Sequence, residues 1–135
     1  MVPARRKVLA DTGASSVELA ITMPALLLMV LAIIQFALWE HAQHVALAAA
    51  QEGAAIARSY DGTEAEARVR TLVRLDQLGP TILSHRSVSV TRTPTEVTVT
   101  VVGRATSVLG VFGLHVHEQA RGPVERFVPT RGDAP

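Results

Sequence analysis

Between Leu19 and Leu38 every residue is apolar except Thr22, Pro24 and Gln35, and this run constrains the chain more than any other feature. About 20 such residues at 1.5 Å rise per residue cover the ~30 Å hydrocarbon core of a bilayer. The run is apolar on all sides, so as a soluble helix it would need protein all round it. The roughly 95 residues beyond it make only a small core and cannot supply that cover. The expectation is a transmembrane helix over Leu19 to Leu38. Pro24 would kink it or loosen its first turns, and the Thr22 hydroxyl would bond back to a helix carbonyl. Gln35 is expected near the far interface, and Trp39 where an interfacial aromatic belongs.

The run is preceded by Gly13-Ala14-Ser15-Ser16-Val17-Glu18. A lone carboxylate at the mouth of a membrane segment is disfavoured by several kcal/mol unless it is paired. If the chain is cut after Gly13, the new Ala14 amine is a positive group that can meet a Glu18 carboxylate, its own or a neighbour's. Arg5, Arg6 and Lys7 lie upstream, and by the positive-inside rule they keep the N-terminus cytoplasmic and the remainder outside. A secretory signal peptide cut near Ala46-Leu47-Ala48 is a competing reading. Its apolar region would be longer than the usual ~7–15 residues, with Asp11, Gly13 and Glu18 between it and the basic cluster.

The formal net charge is +1. Past Trp39 basic and acidic residues balance at ten each, which leaves no electrostatic footprint for nucleic acid. There is no cysteine, so disulfides and thiolate metal sites are excluded.

Helical character continues beyond Trp39 through an alanine-rich stretch with high helix propensity. Leu38, Ala42, Val45, Ala49, Gly53, Ile56 and Tyr60 form one stripe, expected to pack on the chain's own domain or on other subunits. Ala49 and Gly53 form a small-x-x-x-small pair suited to close helix approach. A single helix from about Ser16 to Tyr60 is expected. Thr63 to Glu66 has the pattern of a capping box, opening a second helix with Ala65, Val69, Leu72 and Val73 as its apolar face and Gly79-Pro80 as its stop. Alternation then replaces helical spacing. Val88 and Val90, a turn at Thr93-Pro94-Thr95, and Val97, Val99 and Val101 predict a hairpin. A loop is expected from Gly103 to Gly113, then a last strand from Leu114 to Ala120, with Pro123 ending regular pairing.

The expected fold class is therefore α+β: a long N-terminal transmembrane helix extending into a small domain of one helix and about three antiparallel strands. Its divisions are a cytoplasmic basic leader (1–13), the transmembrane and protruding helix (14–60), an extracytoplasmic α+β domain (61–128) and a disordered tail (129–135).

Candidate sites are few. His115 and His117 share a strand face, with His85 a conceivable neighbour, and two such histidines can chelate a transition metal. No third ligand is fixed by spacing, so exposed strand histidines are the simpler account and no metal or cofactor is expected. His41 and His44 lie one helical turn apart as interfacial polar residues. No nucleophile elbow, H-E-x-x-H pattern or phosphate-binding glycine loop is present, so neither catalysis nor a small-molecule ligand is expected. Val108, Leu109, Val111 and Phe112 give their loop an apolar character, which marks either packing onto the domain's own core or a contact patch for a partner or the membrane surface.

The basic leader, Gly13, Glu18 five places later, Pro24 in the apolar run, the Gln35-Phe36 exit and the stretch Ala48-Ala49-Ala50-Gln51-Glu52-Gly53-Ala54 together resemble the TadE-like family. These are pseudopilin-like minor proteins of Tad (Flp, type IVc) pilus systems. The apolar Leu-Gly loop and last strand resemble the family's C-terminal part. Leu19 stands where the family often has an aromatic residue. The resemblance implies a pilin-like fold, cleavage by a prepilin peptidase between Gly13 and Ala14, and Glu18 as the carboxylate that neutralises a subunit's amine during registration. It also implies partners among other Tad/Flp subunits and assembly proteins, in the bacterial cytoplasmic membrane. Two alternatives stay open: an uncleaved single-pass anchor displaying a protein-binding domain of a secretion apparatus, and a secreted ligand-binding domain.

Overall fold

The structure is a computed structural model describing residues 9–108, 110 and 113–125, with side chains from Ser15 onward. Helix α1 runs Leu9–Arg58 and passes through Pro24, and α2 runs Glu64–Leu78. Three strands follow, β1 (Leu83–Arg92), β2 (Glu96–Ala105) and β3 (His115–Pro123). They form an antiparallel meander in the order β1-β2-β3. Both helices cover one face of this sheet, a two-layer α+β arrangement.

Alanine sets the geometry of the core. Ala42, Val45, Ala46, Ala49, Ala50, Ala54 and Ala57 of α1 are buried against Val97, Val99 and Val101 of β2 and Val116 and Ala120 of β3. The buried face of α1 is thus wider than the single stripe read from the sequence. Its last expected member, Tyr60, lies outside it at 70% exposure, beyond the end of the helix. Ala49 is buried and Gly53 faces Thr71 of α2, so this small pair is used within the chain. A Cβ on Gly53 would fall 2.0 Å from Thr71 Oγ1, the closeness that glycine permits. Glu52 beside it meets Arg74 of α2 at 3.0 Å.

At the start of α2 Thr63 Oγ1 accepts from Glu66 N–H, the threonine half of the expected capping box, and at its end the Gly79 N–H closes the helix on Leu75 O. Its buried face differs from the expected one. Ala67, Thr71 and Leu75 point inward; of the four expected residues Leu72 packs half-buried against the core, whereas Ala65, Val69 and Val73 are exposed. A helix lying this close to α1 must present small side chains at the crossing, and that requirement overrides the valines' hydrophobicity. The Glu64 carboxylate turns outward to accept the Arg92 backbone N–H at 2.6 Å.

Within the sheet, Val99 sits between Val90 and Ala120, and Val101 between Val88 and Glu118. The opposite face is polar, with Gln119 Nε2 donating to Thr100 Oγ1 and Arg121 donating to Gln119 Oε1. That face can therefore stand in water. Two features depart from the expected strands. Gly103 lies inside β2, where the Leu83 side chain occupies the space a Cβ would take. The register of β1 also slips between Ser84 and Ser87, with His85 at φ 49, a bulge at the strand's start. The last strand begins at His115 and reaches Pro123.

Candidate functional site: the bare half of the first helix and its junction with the domain

The two halves of α1 differ sharply. From Ser15 to Val30 every residue is exposed, and none of the helix's most apolar window, at mean hydropathy 2.5, is covered by protein. This segment is long and apolar enough to cross a membrane. Thr22 Oγ1 donates to Glu18 O, the back-bond expected of a hydroxyl in an apolar helix. Leu19 and Pro24 are exposed on this rod. Leu38, expected as its last residue, is half-buried and already part of the junction with the domain.

The Glu18 carboxylate is exposed and meets no partner among the described residues. Gly13 and Ala14 have helical backbone, continuous with Glu18. Ala14 and Glu18 are thus four apart on one helix and share a face.

The junction is built by two polar side chains whose roles the sequence conceals. Gln35, expected near a membrane interface, is only 7% exposed. Its Oε1 accepts from Val108 N–H at 3.0 Å and from Ser107 Oγ at 3.1 Å, tying the β2–β3 connection to the helix. Gln35 Nε2 is buried and has no partner among the described residues. Trp39 stacks at a tilt on Phe36, centroids 5.7 Å apart, and its Nε1 donates to His115 O at 3.1 Å. Trp39 is therefore a docking residue for β3. These contacts join positions 72 to 76 apart in the chain, and only the fold brings them together.

Among the candidate contact residues, Val108 is exposed, while Leu109, Val111 and Phe112 lie outside the described residues, as does the tail from 126 onward. His115 and His117 are exposed on the sheet's polar face. Among the described residues no three acidic or histidine side chains gather as a metal site. His44 pairs with Glu40 at 3.2 Å on α1. At the far end of the domain Gly62, Thr63, Glu64, Arg92, Thr93 and Val124 line a shallow, open depression. Its polar groups serve the fold: Arg92 Nη2 donates to the carbonyls of Ser59 and Tyr60 at the end of α1.

Residues 13–55 match the family model described as TadE-like protein. The matched segment begins at Gly13 and runs through the bare half of α1, the Gln35–Trp39 junction and the Gly53 contact with α2. No curated protein and no solved structure matches the chain. Over residues 13–55, about a third of the chain, the sequence is similar to TadE-like proteins.

Proposed function

We propose that this TadE-like chain is a minor pseudopilin of a Tad/Flp pilus machine, an assembly subunit without catalysis. It is held in the bacterial cytoplasmic membrane by the bare half of α1, with its N-terminus cytoplasmic and the α+β domain outside. A prepilin peptidase cleaves between Gly13 and Ala14. The freed amine is neutralised by the Glu18 carboxylate of an adjacent subunit while both lie in the bilayer.

The observation that carries this reading is the TadE-like match beginning at Gly13, on a helix whose first half has no protein cover and whose Glu18 meets no partner among the described residues. An unpaired carboxylate beside hydrocarbon is costly, so a cation delivered by processing or by a neighbour has a physical reason to be there.

N-terminal sequencing of the protein from its own host tests the reading. A mature chain starting at Ala14 is expected, and Gly13→Ala should block that cut. Glu18→Ala should leave membrane insertion intact but abolish incorporation into the assembly. An intact Met1 in cells with active peptidase, together with normal assembly by Glu18→Ala, refutes the reading and leaves an uncleaved anchor displaying a binding domain.

A further inference from the structure

The sheet has a membrane side and a far side, and their chemistry differs. β3 runs parallel to α1: Trp39 bonds His115 at its start, and Gly122 near its end lies against the Arg58 side chain. β2 therefore descends toward the bilayer and delivers the β2–β3 connection to the point where α1 leaves the apolar span. From Val17 to Phe36 is ~30 Å of helix at 1.5 Å per residue, so Gln35 stands at the outer edge of the hydrocarbon. Val108 N–H is bonded to Gln35 itself, about one helical turn closer to the lipid than Trp39.

At that level, beside the Ser107–Gln35 bond and the exposed Thr106, apolar side chains also face outward. Val108 is 50% exposed and Phe36 59%, and Leu114 is exposed too. The sequence from Ala105 to Leu114 carries no charge. Arg104, exposed at the end of β2, has its side chain running beside Gly113. The far side, by contrast, presents Asp61, Glu64, Thr93, Thr95 and Glu96 to solvent. Apolar residues exposed at the height of a bilayer surface, beside a guanidinium, match the boundary between acyl chains and phosphate headgroups.

We propose that this end of the sheet is a second membrane contact. Val108 and Leu114, with Phe36 of α1, seat in the headgroup–acyl boundary of the leaflet from which α1 emerges, and Arg104 meets lipid phosphate. The domain then stands on the bilayer at two points rather than swinging on one. The inference rests on the reading of α1 as a spanning helix.

The chain has no cysteine, so single cysteines can be labelled uniquely. Ile33→Cys, Val108→Cys, Leu114→Cys and Thr95→Cys in the full chain, each carrying an environment-sensitive fluorophore, are reconstituted in phosphatidylcholine–phosphatidylglycerol vesicles containing lipids with quenchers at defined depths. Ile33 should be quenched by deep quenchers. Val108 and Leu114 should lose at least half their emission to shallow quenchers, and Thr95 should lose none. If Val108 and Leu114 behave like Thr95 while Ile33 is quenched, the second contact is refuted and the spanning helix stands. If Ile33 is not quenched, both fall. Protection at Val108 that grows with the protein-to-lipid ratio means the patch covers a second copy, which also refutes the proposal.

Discussion

Replacing Gly53 by alanine tests the closest approach in the domain. In an isolated helix the change stabilises by about 1 kcal/mol, because glycine is a poor helix former. Here the added Cβ falls 2.0 Å from Thr71 Oγ1, with Ala67 O at 3.3 Å and Thr71 Cβ at 3.4 Å. Thr71 is fully buried and its hydroxyl donates to Ala67 O at 2.8 Å, so it cannot turn away without losing that bond or displacing α2. Overpacking of this kind costs about 1–3 kcal/mol, and loss of the hydroxyl's bond about 1 kcal/mol more. The net expectation is destabilisation by about 1–3 kcal/mol. For a domain of this size each kcal/mol lowers the melting temperature by about 4–8 °C. The sole tryptophan, Trp39, is docked on His115 and reports unfolding by its emission. Measured on the full chain in one detergent or nanodisc preparation, Gly53→Ala should melt below wild type. Thr71→Ala removes the obstructing hydroxyl and leaves the new methyl at an ordinary distance from the remaining Cβ. The double variant should therefore be more stable than the two single effects predict, by a coupling of about 1–2 kcal/mol. A Gly53→Ala protein at least as stable as wild type, or strict additivity with Thr71→Ala, would show that α1 and α2 do not meet at this point.

The remaining predictions use the same measurement. Leu75→Ala should cost about 2–5 kcal/mol, since Leu75 is fully buried, whereas Val69→Ala at 58% exposure should stay within about 0.5 kcal/mol; a reversed order would restore the valine face of α2. Thr63→Ala removes the acceptor for Glu66 N–H and should destabilise by about 1 kcal/mol, with Thr63→Ser largely neutral. Glu52→Gln should cost under about 1 kcal/mol and less at high salt, because the Glu52–Arg74 pair is partly solvated; an effect several times larger would mean the pair anchors α2.

Legibility in the sequence followed the range of the interactions. The apolar span needs only its own composition. The alternation of Val97, Val99 and Val101, the Thr63 cap and the Gly79-Pro80 stop are signals within a few residues, and each appears in the fold. The buried face of α2 is not legible in the sequence, because Val69 and Val73 look like core, while the neighbour that decides the matter, Gly53, lies on another helix. Gly103 suggests a loop until Leu83 is seen lying over it. Gln35 and Trp39 have the character of interface residues in isolation, and their partners Val108 and His115 are more than seventy positions away. Val102, Arg104 and the bulge at His85 show the same limit: strand register across a sheet is a property of pairs, which a single strand does not display.

Because α1 supplies both the bare rod and one layer of the core, and because Gln35 and Trp39 fasten the domain within about three turns of Val30, one unbroken helix joins the two. The head is keyed to the rod like a bit to its shaft. Adding a single residue in the bare segment, just before Gln35, would turn the whole head by about 100° about the rod axis relative to Glu18 while lifting it only ~1.5 Å.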